Sequence, residues 1–299
     1  MENKKSAHVL AMLLMVLWGL SYLSIKLVVE EINPVLSAFY RFLLASIILF
    51  VFLKVKYPEE KILKEDRLKV ALSGLFGVSL YFYFENYSVL FTSASNVAVL
   101  ISSIPVFTLL SQTLIFKEKM TLGKMGGAAL SVIGIFIIII SKEKVSFFSS
   151  GTIGDIMALM AALCWVVYTI ITSKFKGNYK SITITTYQNL WGCLFLSPSI
   201  FVFKVSMPST KVIFNIIYLS IFCSCIGYAI YIYCLNKLGA TVITTYINLQ
   251  PIVSLISAKV LLKEKITLWQ VLGSLIIISG VLLVSFSEKI SLNNLEEVI

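Results

Sequence analysis

Apolar residues run along this chain in long blocks, separated by short polar or charged connections. A hydrocarbon core about 30 Å thick takes roughly 20 helical residues to cross. Ten blocks meet that length: 7–29, 34–53, 68–90, 95–116, 122–141, 153–173, 182–203, 211–235, 240–262 and 268–286. No soluble domain fits between them. The longest connection, 54–67, is charged and is expected to lie along a surface. The pattern predicts an all-α polytopic membrane protein of ten transmembrane helices.

The blocks also repeat. Ile115-Phe116-Lys117-Glu118-Lys119-Met120-Thr121-Leu122 returns 146 positions later as Leu261-Leu262-Lys263-Glu264-Lys265-Ile266-Thr267-Leu268. The same offset pairs Ala94 with Ala240, Pro105 with Pro251, Gly127 with Gly273 and Gly134 with Gly280; an offset of 147 pairs Trp18 with Trp165 and Tyr40 with Tyr187. The chain therefore divides into two five-helix repeats, 1–145 and 146–290, with a frayed tail at 291–299. An odd number of crossings per copy turns the second copy over in the bilayer. Many secondary transporters are built this way, with the solute site between inverted repeats near the membrane midplane.

Composition agrees with lipid as the solvent. Apolar residues make up 58% of the 299 and charged residues only 13%, against roughly 25% charge in soluble domains. The net charge of +10 sits mostly in connections, where it sets orientation and meets anionic headgroups rather than nucleic acid. Of 25 Lys and Arg, Lys26, Arg41 and Lys259 fall within spans. Lys142, Lys144, Lys204, Lys211, Lys263 and Lys265 share one side, and the other sixteen share the side of the N-terminus. Positive residues favour the cytoplasm, so both termini are expected inside the cell, in a multi-pass protein of the inner or plasma membrane. All five cysteines fall in apolar blocks and read as small core residues. The lone histidine, His8, has no ligand partners, and nothing calls for a metal or cofactor.

Charge within hydrocarbon costs about 2.5–3.5 kcal/mol per residue on insertion scales. Counting about 1.5 Å per helical residue, Arg41 lies roughly 10 Å and Glu85 roughly 8 Å below the outer face, with Lys26 nearby. A hydrogen-bonded Arg41–Glu85 pair, near Lys26, would offset the burial. Such a pair either binds solute and gates the outer side, or only fixes helix packing. The repeat mates are neutral: Ser173, Gln188 and Tyr231. Lys259 lies close enough to an interface to snorkel. A polar stripe, Tyr246, Gln250, Ser254 and Ser257, marks one face of the ninth span, with Ser103 and Thr108 in the fourth; it either lines a path or bridges helices. Pro105 and Pro251 stand mid-span, where each removes a backbone hydrogen bond, giving either a flexible break or a fixed kink. Trp18, Tyr22, Tyr81, Trp165, Tyr168, Tyr187, Tyr228 and Tyr231 are candidate cavity rings, able to stack on flat solutes or attract cations; the alternative is packing or interface anchoring. The seven-residue glycine pairs give the fifth and tenth spans smooth faces for close packing, within one molecule or between two.

The sequence resembles the EamA-type branch of the drug/metabolite transporter superfamily. The resemblance rests on Leu17-Trp18-Gly19, Pro34 with Tyr40-Arg41-Phe42, Thr92-Ser93-Ala94-Ser95-Asn96, Pro105-Val106-Phe107, the Lys-Glu-Lys turn, Leu238-Gly239-Ala240, Pro251 and the glycine pairs. It implies ten helices in two inverted repeats and movement of small metabolites, commonly outward. Gln250 departs from the Glu that many relatives carry before the proline. An enzyme would need a His cluster, a Ser/His pair or paired carboxylates, which the chain lacks; a nucleotide-driven pump would need G-x-x-x-x-G-K-[ST], also missing. A secondary exporter of amino acids or related amphipathic compounds is the leading expectation, with a passive facilitator or channel as the alternative and a membrane enzyme or receptor as more distant ones. Partners would be a small-molecule solute, the lipid bilayer and, if Glu85 carries them, protons; an adjacent Arg would oppose protonation. Monomer and homodimer both stay open.

Overall fold

In a computed structural model of the chain, every described element is helical. The structure describes residues 2–116, 121–140, 150–205, 207–263 and 266–296. Helices α1 (Glu2–Val29) and α2 (Pro34–Lys56) are unbroken. Helix α3 runs from Arg67–Gly74 through a π-turn at Leu75–Leu80 into Tyr81–Phe91. Helix α4 has two pieces, Ala94–Ile101 and Ile104–Phe116. Next come α5 (Leu122–Ile140), α6 (Ser150–Thr172) and α7 (Ser181–Leu196), the last followed by one turn at Ser199–Val202. Helix α8 joins Thr210–Tyr218, a second π-segment at Leu219–Ile226 and Gly227–Leu238. Helix α9 strings together Ala240–Thr245, a 3-10 turn at Tyr246–Asn248, Leu249–Ser257 and a π-turn at Ala258–Leu262; α10 is Leu268–Glu296.

Six of these stretches are long and apolar enough to cross a membrane: Lys5–Val29, Pro34–Lys56, Ala94–Ser111, Ser150–Thr172, Thr210–Leu238 and Ala240–Leu261. The chain is a multi-pass membrane protein. Large apolar side chains such as Leu13, Val51, Val55 and Phe214 point outward, as lipid-facing residues do.

Local chemistry fixes the boundaries. Asn33 caps α2 by accepting from the Val35 amide, with Pro34 in the first turn, where its missing N–H costs nothing. Ser93 and Ser209 cap α4 and α8 in the same manner, accepting from Asn96 and Val212. Gly239 ends α8 at φ +84°, a conformation that side chains with a Cβ rarely adopt. The expected seventh span is cut short at Pro198, which cannot continue the helical ladder. The expected tail at 291–299 is helical through Glu296, since no Gly or Pro follows Gly280 to stop α10; 297–299 lie outside the described residues. So does the first Lys-Glu-Lys turn, and of the second only Lys263 is described.

Packing pairs the halves. Helix α1 lies against α8 and α9, while α6 lies against α3 and α4; α2 meets α7, and α5 meets α10 along its length. The α5–α10 seam is the glycine one, and it closes within one molecule. Ser131 on α5 donates to its own-helix Gly127 O at 3.1 Å and faces Ile277 O of α10 at 3.4 Å. A Cβ on Gly134 would stand 2.7 Å from Gly273 O, and one on Gly280 would stand 2.5 Å from Gly127 O.

Candidate functional site

The aromatic positions of both halves converge on one enclosed cavity. Helix α1 contributes Trp18, Ser21 and Tyr22; α2 contributes Arg41; α3 contributes Tyr81, Phe82 and Glu85. Ile101 and Ile104 flank the break in α4. Trp165, Tyr228, Ile247 and Gln250 close the space from α6, α8 and α9. Every one of these residues is buried. The space open to water centres is about 30 Å³, room for one or two water molecules. The centre of the protein is therefore tightly filled.

Trp18 and Trp165 stand edge to face at 5.3 Å, and Tyr81, Tyr228 and Tyr231 pack around them at 4.9–6.0 Å. Such pairs contribute about 0.5–1.5 kcal/mol each beyond their buried area, so the ring cluster holds the two halves together as well as shaping the cavity. The rings are anchored by carbonyls at the π-turns. There the i to i−4 ladder is interrupted, and main-chain oxygens become available to other donors. Trp18 Nε1 donates to Cys223 O at 3.2 Å, and the Tyr228 hydroxyl donates to Gly77 O at 2.6 Å. Gly77 and Cys223 are 146 positions apart, as repeat mates should be. Nothing in the sequence pattern had pointed to them.

The expected Arg41–Glu85 ion pair is not formed. Arg41 Nε donates to Ser224 Oγ at 2.7 Å, and its guanidinium lies 4.3 Å from the Phe82 ring centre. Glu85 Oε1 accepts from the Tyr81 hydroxyl, one turn back on α3, at 2.7 Å. Neutral partners thus hold the near side of each group. Arg41 Nη1 and Glu85 Oε2 are left buried with no hydrogen-bond partner. Leaving such groups unmade costs about 1–3 kcal/mol each, and more when charged. Lys26 belongs elsewhere: its Nζ donates to Val89 O at 2.9 Å and sits 3.9 Å from Glu30.

Of the sequence candidates, Trp18, Tyr22, Arg41, Tyr81, Glu85, Trp165, Tyr228 and Gln250 meet in the cavity, and Tyr187 does not line it. Tyr22 donates to Gln250 Oε1 at 3.2 Å. Tyr231 packs behind Trp165, accepting from its Nε1 at 3.1 Å. Tyr168 donates to Gln188 Oε1, while Gln188 Nε2 reaches Ser73 and Thr172, making a separate buried polar knot. Tyr246 is tied to His8 Nδ1 at 2.6 Å, near the start of α1. Ser103 bonds back to Leu100 O within the break of α4, next to Pro105; Pro251 follows the 3-10 turn of α9. Ser254 reaches across to Ala94 O, bridging helices, and Lys259 is exposed. The sequence reading overlooked Asp155, a fully buried acid in the first turns of α6 that accepts from Asn96 Nδ2 at 2.7 Å. An acid between Gly154 and a run of apolar residues was the available signal.

Comparison with known proteins adds to this geometry. The model of the EamA-like transporter family matches twice, over residues 5–140 and 152–286. An uncharacterized transporter of Archaeoglobus fulgidus is 33% identical, the match covering 94% of this chain and 97% of the relative. A probable amino-acid metabolite efflux pump of Escherichia coli (strain K12) is 24% identical, covering 91% and 92%. A solved crystal structure matches with a TM-score of 0.68 at 15% identity, covering 94% of this chain and 98% of the other.

Proposed function

Since the chain belongs to the EamA-like transporter family and is a transporter rather than an enzyme, we propose that it is a secondary transporter exporting amino acids or related small amphipathic metabolites by alternating access. The ten helices then form two inverted repeats around the central cavity, in the cell membrane, with both termini cytoplasmic. The inversion is supported by the α5–α10 seam. Gly134 meets Gly273 and Gly280 meets Gly127, so each contact has its mirror under exchange of the repeats. Such reciprocal contacts are the mark of a twofold relation. Ser131 facing Ile277, and Trp18 facing Trp165, are mates meeting each other close to that axis. Two helices paired this way run antiparallel, as an axis in the plane of the bilayer requires.

The single observation that carries the solute class is the pair of unpartnered atoms in one cavity, Arg41 Nη1 and Glu85 Oε2. One offers a proton donor with positive charge and the other an acceptor with negative charge. The cavity as it stands has room only for water; once it widens, a zwitterion would satisfy both at once, its carboxylate on Arg41 and its ammonium on Glu85, with its side chain among the rings. The relative named as an amino-acid metabolite efflux pump favours the same class. The test is exchange of a radiolabelled amino-acid mixture across proteoliposomes. Native protein is expected to exchange a subset of the mixture, and Arg41→Gln or Glu85→Gln, expressed and folded, to abolish that exchange. Normal exchange in both variants would remove these groups from the site. Flux with and without an imposed pH gradient separates proton-coupled transport from facilitated diffusion.

A further inference from the structure

At each end of the molecule, carboxylates fasten a connection of the first half to the second half, and one carboxylate at each end takes more than one hydrogen bond from the partner segment. At one end it is Asp66, the N-cap residue of α3, whose side chain has no exposed surface. Its Oδ2 accepts from the Lys176 amide at 2.9 Å, the Gly177 amide at 3.0 Å and the Tyr179 hydroxyl at 2.9 Å, all in the α6–α7 connection. Its Oδ1 accepts from Lys69 Nζ at 2.9 Å, and the same ammonium donates to Lys174 O. Glu65 pairs with Lys176 at 2.6 Å, and Glu60 accepts from Thr183 at 2.9 Å.

At the opposite end the carboxylate is Glu31, in the α1–α2 connection. Its two oxygens accept from the amide and the hydroxyl of Ser209, the N-cap residue of α8. The helices capped, α3 and α8, occupy the same place in their repeats, and so do the connections gripped, α1–α2 and α6–α7. The two clamps are thus counterparts on opposite faces. Between them lies the closed cavity.

We propose that Asp66 and Glu31 are the gate residues of the transport cycle: each clamp seals one side of the cavity, and the protein opens to a side by releasing that side's carboxylate alone. This rests on the transporter reading above. The clamps are unequal. Asp66 is dry and held by four donors, and the Gly177, Lys69, Tyr179 and Lys176 bonds outweigh the cost of its burial, keeping its carboxyl down at about 2. Glu31 is exposed and held by one residue, and an exposed contact of this kind is weak. The Glu31 side, the outer one by the charge rule, is therefore the one that opens first.

The experiment uses the full chain in oriented proteoliposomes, with Ser21→Cys placed in the cavity wall and a charged, membrane-impermeant thiol reagent added to one side. The protein without Ser21→Cys is the blank, its five own cysteines being free and buried. The Ser21→Cys protein is expected to label faster from the Glu31 side. Asp66→Asn should raise labelling from the Asp66 side by about tenfold and not from the other; Glu31→Gln should raise it only from the Glu31 side. Should Asp66→Asn not fold, Tyr179→Phe removes one donor and should give a smaller change of the same sidedness. Equal changes on both sides, or none with either clamp broken, would overturn the proposal. Because no solute enters this assay, sided labelling without any amino-acid exchange would uphold the gates and reject the solute reading, and exchange without sidedness would do the reverse.

Discussion

Trp18 and Trp165 occupy matching positions in the two halves of the chain and touch each other, edge to face, at 5.3 Å. On the inverted plan proposed above, a contact between mates falls next to the axis relating the repeats, and the ring pair joins the two halves there. Trp18 also spans the halves through its Nε1 bond to Cys223 O. Trp18→Phe keeps most of the ring area and removes the donor. We expect it to lower stability by about 1–3 kcal/mol, the cost of a buried acceptor left without a partner, read as a drop in the unfolding midpoint in detergent.

Within the π-turn of α3, Gly77 packs directly against the Tyr168 ring. A Cβ on Gly77 would fall 2.2 Å from the Tyr168 ring, and that ring is packed against Trp165 and Tyr228, so it has little room to move. Gly77→Ala is expected to cost about 1–3 kcal/mol from overpacking. Amino-acid exchange should fall as well, because the Tyr228 anchor at Gly77 O shifts. Unchanged melting would mean that the ring moves freely.

The glycine seam answers the question of oligomerisation that composition left open, as far as these faces are concerned. They are consumed within the molecule by α5 and α10. Gly134→Val should therefore lower the unfolding midpoint, by about 1–3 kcal/mol in stability, without altering the mass measured by light scattering. Loss of a dimer with stability retained would place the seam between molecules.

The Asp66 clamp has a defined pH dependence. The groups facing the carboxylate are Lys69 and Tyr179, with Glu65 and Lys176 alongside. Its folded value, about 2, lies below the ordinary 3.8, so its contribution to stability is complete above about pH 5 and is lost as pH falls through 2. The difference in melting temperature between native protein and Asp66→Asn should stay constant from about pH 8 to 5 and shrink below about pH 4. A difference that changes between pH 8 and 6 would contradict this.

Depth along each helix was legible in the sequence, but facing was not. Arg41, Glu85 and Lys26 were expected in one outer layer, because the rise per residue converts position into depth; Arg41 and Glu85 do share one cavity, while Lys26 bonds to Val89 O outside it. Which side of a helix a residue takes requires an unbroken 3.6-residue period. The π-turns in α3 and α8 each add residues to a turn and shift the phase of everything beyond. The Arg41–Glu85 pairing failed on this point: Tyr81 and Ser224 reach the two groups first. Gln188 and Tyr168, read as path residues, satisfy each other in a separate knot. The two carboxylate clamps lie in connections, where hydrophobic periodicity carries no information.

The inverted plan itself is tested most directly by two substitutions in matching connections, Lys61→Cys between α2 and α3 and Met207→Cys between α7 and α8. Both positions are exposed, Met207 at 98%, and the native cysteines are all buried. With an impermeant maleimide on intact cells and on inverted vesicles, Lys61→Cys should react only from the cytoplasmic face and Met207→Cys only from the outer face. Reaction of both from one face would mean that the repeats run parallel, and would contradict the account.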